Sequence, residues 1–210
     1  MPATISRASR RHGWPGLDAE HLTDASALAQ ARRILVIGSS GAGKSTLARE
    51  LARRIDRPVI HLDRHYFGPG WSEPDRLEWR ARVMELASGE SWIMDGNYSN
   101  TFDLRMPQAD AIVWLDLPPL ICLRRVIWRV LRNWGRVRPD LGEGCPEKLV
   151  WSFLVYVWNF PKRHRPLLMA ALMRHAGHSR VVALTSPASV KALLSELDNV
   201  PAAIRDTAQA

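Results

Sequence analysis

Arg33-Ile-Leu-Val-Ile-Gly38-Ser-Ser-Gly-Ala-Gly-Lys44-Ser45-Thr46 is the stretch from which the fold of this chain can be read. Ile34 to Ile37 is a short aliphatic run without a polar break, the pattern of a parallel strand covered on both faces. It ends in glycine, and Gly38 to Ser45 then fits G-x-x-x-x-G-K-[ST]. From Ser45 to Ile55 the period changes to that of a helix, with Leu47, Leu51 and Ile55 on one face. Between a strand and a helix this pattern builds a phosphate cradle. Glycines let the backbone curl so that successive N–H groups point inward, and the helix adds the positive end of its dipole. Gly38, Ser39, Ser40, Gly41, Ala42, Gly43, Lys44, Ser45 and Thr46 are therefore the expected site for ATP or a closely related nucleoside triphosphate. In such a site Lys44 reaches the terminal phosphates and the Ser45 hydroxyl ligates Mg2+.

Moving outward, the unit recurs. Strands are expected at Val59 to Leu62, Trp92 to Met94, Ala111 to Leu115 and Val181 to Leu184. Helices are expected at Glu73 to Ala87 with Pro74 at its start, Leu120 to Trp134, and Ser189 to Leu197, with a short one near Ala25 to Arg32. Alternation of this kind predicts an α/β fold: a three-layer P-loop NTPase with a parallel five-stranded sheet, helices on both faces and a helical lid. The expected organisation is an N-terminal extension over 1–31, one domain over 32–199 with a lid near 124–166, and a tail over 200–210. Ligands bind such sheets at the carboxyl ends of the strands. The glycine-rich loop, Asp63, Asp95 and Ser186 all follow strand ends.

The chain has 210 residues, 46% of them hydrophobic, enough for one domain with a real core. Its longest apolar run, Leu149 to Phe160, is too short to cross a bilayer as a helix, and its first residues lack the apolar segment of a secretory signal. Cys122 and Cys145 stand at no metal-binding spacing and read as free thiols. No membrane association and a cytoplasmic location are the expectations, for a monomer or homodimer. A net charge of +8 suits a protein handling polyphosphates; a basic face for nucleic acid is the other explanation, not the favoured one.

Other candidate groups follow from the same layout. Asp95, after an apolar strand and before Gly96, has the position of a second Mg2+-side carboxylate; Asp116 is its rival and suits the approach to the next helix. Asp63 is placed to orient or deprotonate an acceptor hydroxyl. Tyr66, Phe67 and Trp71 offer an aromatic wall for an acceptor, or core packing. His61 and His65 read as loop residues, too few for a metal site. Asn97 follows Asp95-Gly96 at a strand end, and Arg105 is positioned to pair with an anionic acceptor, or to sit on the surface. Arg125, Arg129 and Arg132 fall at i, i+4 and i+7, one face of a basic helix, as expected of groups that stabilise a moving phosphoryl group. Gly135 to Pro146 has the composition of a mobile loop that closes over nucleotide. Leu149 to Phe160 reads as an apolar helix on the lid, a dimer contact or a DNA-facing element. It is expected to break at Pro161 and Pro166, around the basic cluster Lys162, Arg163, His164 and Arg165.

Taken together, these residues resemble the adenylate-kinase-type P-loop kinases, and more closely the bacterial "topology modulation protein" group of adenylate-kinase-like ATPases. The resemblance covers about 32–197. It rests on the glycine-rich loop, His61-Leu-Asp63, Trp92-Ile-Met-Asp-Gly-Asn-Tyr98, Leu115-Asp-Leu-Pro118 with its arginine helix, and Gly144-Cys-Pro-Glu147. It implies that Arg125 lies against the adenine, that Arg129 touches phosphates, and that Thr185, Ser186 and Pro187 line the adenine. Adenylate kinases read Asp-Gly-Phe-Pro-Arg where this chain reads Asp95-Gly-Asn-Tyr-Ser99, so the arginine that holds a monophosphate acceptor is missing there. Asp63 instead resembles the strand-end aspartate of shikimate, gluconate and nucleoside kinases. The expected function is an ATP- and Mg2+-dependent phosphotransferase acting on a small-molecule acceptor; the alternative is an ATP-dependent regulator that binds DNA and hydrolyses ATP weakly.

Overall fold

In a computed structural model of the chain, residues 24–138 and 140–201 are described. Among them five strands form one parallel sheet: β1 (Arg33–Gly38), β2 (Val59–His61), β3 (Trp92–Asp95), β4 (Ala111–Leu115) and β5 (Arg180–Leu184), in the spatial order β2-β3-β1-β4-β5. Val36 stands beside Asp95 on one side and Val113 on the other. The sheet is buried because its strands carry apolar residues on both faces. Ile34, Val36, Val113 and Val182 point into one core; Leu35, Ile37, Ile112 and Ala183 alternate with them into the other.

Helices cover both faces. The first core takes α1 (Asp24–Gln30), α2 (Lys44–Ile55), α6 (Pro119–Arg132) and α9 (Pro187–Asp198). The second takes α4 (Arg76–Ala87), α5 (Phe102–Arg105) and α8 (Arg165–His175). The helix α7 (Trp151–Arg163) packs on α6 and α8, and α3 (Leu62–Tyr66) is a short helix directly after β2.

The local signals hold with shifts at the ends. Helix α4 starts at Arg76 and not at Glu73, because the Asp75 carboxylate caps it, accepting from Leu77 N–H at 2.7 Å. Helix α9 starts at Pro187, since Ser186 and Ser189 form a capping box. Residues 24–31, expected in an extension, instead join the domain. Ala25, Leu28 and Ala29 are fully buried in the first core, and Asp24 pairs with Arg180 at 3.0 Å. Residues 1–23 and most of the expected tail lie outside the described residues. Pro161 does not break α7, which runs through it to Arg163. A proline this close to a helix end removes one backbone bond, and burial of Val157 and Phe160 offsets that loss.

The first strand hands over to α2 through a loop in which glycine is required. Gly41 has φ +80°, and a Cβ there would collide with the Cys122 carbonyl oxygen of α6. Replacing Gly41 with Ala combines left-handed strain with a backbone clash, at a cost of about 3 kcal/mol. Urea unfolding of Gly41→Ala should show the corresponding drop in midpoint; an unchanged midpoint contradicts this close approach of loop and helix.

Candidate active site

The carboxyl ends of the strands open on a cleft of about 1440 Å3. Its floor is the glycine-rich loop from Ser40 to Thr46; Gly38 and Ser39 lie beneath it. Among the described residues, the backbone N–H groups of Gly41, Gly43, Lys44, Ser45 and Thr46 donate to no protein acceptor, whereas Ala42 N–H bonds Ser39 O at 3.1 Å. That leaves a ring of donors at the start of α2 for an anion. Lys44 Nζ reaches back to Gly38 O at 3.1 Å and Ser39 O at 3.2 Å. Burial pushes its pKa down against the pull of Asp63 and Asp95. From α6, Arg125 Nη1 donates to Ala42 O at 2.9 Å.

Asp95, the last residue of β3, is buried. Its Oδ1 lies 3.0 Å from His61 Nδ1, and its Oδ2 is buried without a hydrogen-bond partner. Ser45 and Asp95 both line the cleft. A hydroxyl and a buried carboxylate oxygen with an unused lone pair are a fitting donor pair for a hard divalent cation. His61 is thus a strand-end residue that steadies Asp95, not the loop residue read from sequence. Asp116 serves elsewhere, holding Arg165 Nε at 2.9 Å, with that guanidinium over the Trp114 ring. His164 packs on Tyr156. Two of the four residues in the basic cluster are therefore engaged within the fold, leaving Lys162 and Arg163 exposed.

Across from Lys44, Asp63 lies in the first turn of α3, just past the strand end. Tyr98 O–H donates to Asp63 Oδ1 at 2.6 Å. Burial, then Asp63, raises the Tyr98 pKa strongly, so the hydroxyl stays a donor. Tyr156 also sits near Asp63 and Asn97; burial raises its pKa too.

Several expected site residues have other duties. Arg105 is fully buried: its guanidinium donates to the carbonyl oxygens of Gly96, Asn97 and Tyr98 and to Thr101 Oγ1. Burial pushes its pKa down to about 9. Asn97 lines the cleft, yet both ends of its amide are occupied: Oδ1 accepts from Gly38 N–H at 3.0 Å and Nδ2 donates to Gly38 O at 2.8 Å. Tyr66 packs among Phe67, Trp79 and Tyr98 and bonds Glu73 at 2.8 Å, off the cleft wall; burial and Glu73 push its pKa up to about 12. Tyr98, two residues beyond Gly96, takes the position expected of it. The Ser186 hydroxyl is consumed in the α9 cap, while Pro187 lines the cleft with Val190 and Leu194.

Arg125 and Arg129 line the cleft, but Arg132 is exposed outside it. Distance along the axis is not the cause, since Asn133 lines the cleft; at about 100° per residue Arg132 sits on the edge of the face away from Val130 and Asn133. The missing cation comes from the loop after α6. Arg138 Nε lies 2.5 Å from Glu147 Oε1, which also meets Arg129 Nε at 3.0 Å, and Arg138 Nη1 bonds Asp140 at 2.8 Å. Burial works against ionisation of Asp140, but Arg138, Ser45 and His61 outweigh it and hold the carboxyl below the usual range. This loop sits on residues 67–71: Gly70 N–H bonds Gly144 O at 2.9 Å, and Trp71 Nε1 bonds Pro146 O at 3.2 Å. Helix α7 completes the wall through Phe153, Tyr156 and Phe160, with Trp151 and Trp158 on its outer side. Tyr98, Arg138 and Glu147 were visible in the sequence only as members of larger blocks, and Asp140 left no signal there.

A family model described as an AAA domain matches residues 34–130. Among solved structures, the chain is similar to a shikimate kinase from Acinetobacter baumannii in complex with shikimate, at 18% identity and TM-score 0.51, over 83% of this chain and 95% of that one. It is also similar to a gluconokinase from Sinorhizobium meliloti 1021, at 23% identity and TM-score 0.44, over 80% of this chain and 91% of that one. No curated protein sequence matches the chain. The likeness to the first of these shows the fold, an α/β architecture built on a parallel five-stranded sheet. Among the described residues no helix is long and apolar enough to cross a membrane.

Arg105 is the buried linchpin of the loop after β3. Arg105→Ala leaves three carbonyl oxygens without their charged donor and should cost roughly 3 kcal/mol or more. Lysine should not restore it, because one ammonium cannot replace a planar fork. Denaturant midpoints of both variants test this; wild-type stability in either contradicts the assignment.

Proposed function

We propose that the chain transfers the γ-phosphoryl group of ATP, with Mg2+, to a hydroxyl of a small-molecule acceptor. The observation that carries this reading is that one cleft is lined both by unbonded amides with Lys44 and by Asp63 held by Tyr98. Placement in the adenylate-kinase-like "topology modulation protein" group is part of this same proposal.

The roles follow from the donors. The amides of Gly41 and 43–46 and the Lys44 side chain bind the triphosphate, and Lys44 trades its two loop carbonyls for phosphate oxygens. Ser45 and Asp95 would hold the magnesium ion, which supplies charge neutralisation at the phosphates. Pro187, Val190 and Leu194 provide an apolar seat for the base. Tyr98 fixes one oxygen of Asp63, leaving the other to accept the proton of the acceptor hydroxyl. The freed oxygen forms a bond to the γ-phosphorus as the bond to the β–γ bridging oxygen breaks, and ADP leaves. Arg125, Arg129 and Arg138 face the charge that spreads over the equatorial oxygens. The loop over 133–150 keeps water out, so that hydrolysis does not compete.

Lys44→Ala should weaken binding of a fluorescent ATP analogue and lower ATP turnover by about 100-fold or more. Asp63→Asn should keep nucleotide binding and lower transfer about 100-fold or more. Equilibrium titration and radiolabelled transfer separate the two, and undiminished turnover in Lys44→Ala rules the mechanism out.

A further inference from the structure

We infer that the acceptor is uncharged where it binds: a hydroxyl compound with a planar or apolar face, of the nucleoside or neutral sugar class, and not a phosphate monoester or carboxylate. This rests on the phosphotransferase reading and comes from an account of the cations that border the cleft among the described residues. Lys44 and Arg125 sit on the glycine-rich loop, where the triphosphate needs them. Arg129 and Arg138 share Glu147, and Arg138 also holds Asp140. His164 is packed against the rings of Tyr156 and Phe160. Arg49 and Lys148 are exposed, where water and salt leave a cation little hold on a bound anion.

Among the described residues, the cations nearest the Asp63 end of the cleft are already committed: Lys44 to the glycine-rich loop, and Arg129 and Arg138 to Glu147 and Asp140. Arg105, in the one position sequence suggested for this task, is spent on backbone carbonyls beneath the loop. Arg80 is paired with Asp103 at 2.7 Å. What borders that end is Asp63, Glu73 and the rings of Phe67, Trp71, Tyr98 and Tyr156. An anion there would lose water, face Asp63 and Glu73, and compete with Glu147 and Asp140 for cations already paired. A ring with hydroxyls would stack on the aromatic wall and give its hydroxyl to Asp63.

The test uses the full chain saturated with Mg2+ and a non-transferable ATP analogue, whose own binding is measured first. Calorimetric titration then compares matched pairs: thymidine with thymidine monophosphate, adenosine with adenosine monophosphate, glucose with gluconate, and methyl shikimate with shikimate. Transfer from radiolabelled ATP is measured for the same compounds. The expected result is that in at least one pair the neutral member binds and is phosphorylated, at least about tenfold better than its anionic partner. Glu73 is exposed, and Glu73→Arg should narrow or reverse that preference. An anionic member that binds as well or better, or no pair in which the neutral member binds, overturns the inference. Failure to bind the ATP analogue strikes the phosphotransferase reading and removes this inference with it; retained analogue binding with an anionic preference strikes this inference alone.

Discussion

The site depends on one buried charge. Arg105 spreads its guanidinium under the loop after β3 and bonds three successive carbonyl oxygens, those of Gly96, Asn97 and Tyr98. With those carbonyls turned inward, the Asn97 and Tyr98 side chains are directed to the other side. Asn97 then clamps Gly38 at both its N–H and its C=O, and Tyr98 holds Asp63. A single cation thus couples the phosphate floor to the residue across from it. Tyr98 is held in the left-handed region, with φ +37°, a conformation that costs energy for any side chain but glycine. The bonds from Arg105 and to Asp63 are what hold it there.

A second network closes the opposite side. Arg129 belongs to α6, whereas Arg138, Asp140 and Glu147 belong to the loop that follows, and their ion pairs tie that loop to the cleft. Burial and the neighbouring Arg138 lower the pKa of Arg129, and Glu147 is the carboxylate that counters them. Like charges brought together out of water need such a partner. The same loop rests on residues 67–71, so the acceptor end and the cation-bearing loop are shaped as one unit. A molecule bound beside Asp63 would bear directly on the position of Arg138.

The fold and the phosphate cradle were legible in the chain because both rest on short-range signals. Ile34 to Ile37, Gly38 to Ser45 and the Leu47–Leu51–Ile55 face state strand, turn and helix within 23 residues, from Arg33 to Ile55. All five strands were recognised by apolar runs that end in polar or glycine residues, and the Asp63 and Asp95 positions came with the strand ends. The helix periods also put Arg125 and Arg129 on one face, while Arg132, at the edge of that face away from Val130 and Asn133, stays outside the cleft.

Short-range patterns along the chain thus suffice to specify a parallel α/β sheet with an amide-lined phosphate floor at the carboxyl end of its first strand. Tertiary structure alone decided how the charged residues are divided between scaffold and cleft. Arg105 and Arg129 look alike as letters, yet one is fully buried against carbonyls and the other lines the cleft. The same holds for Asp95 beside His61, Asp140 beside Arg138, and Asn97 on Gly38. Those partners are 2 to 59 positions apart in the chain, and most of them meet only once the sheet has formed. A charged group acts as ligand or as strut according to which counter-charges and carbonyls lie within about 3 Å of it, a distance that no spacing in the chain encodes.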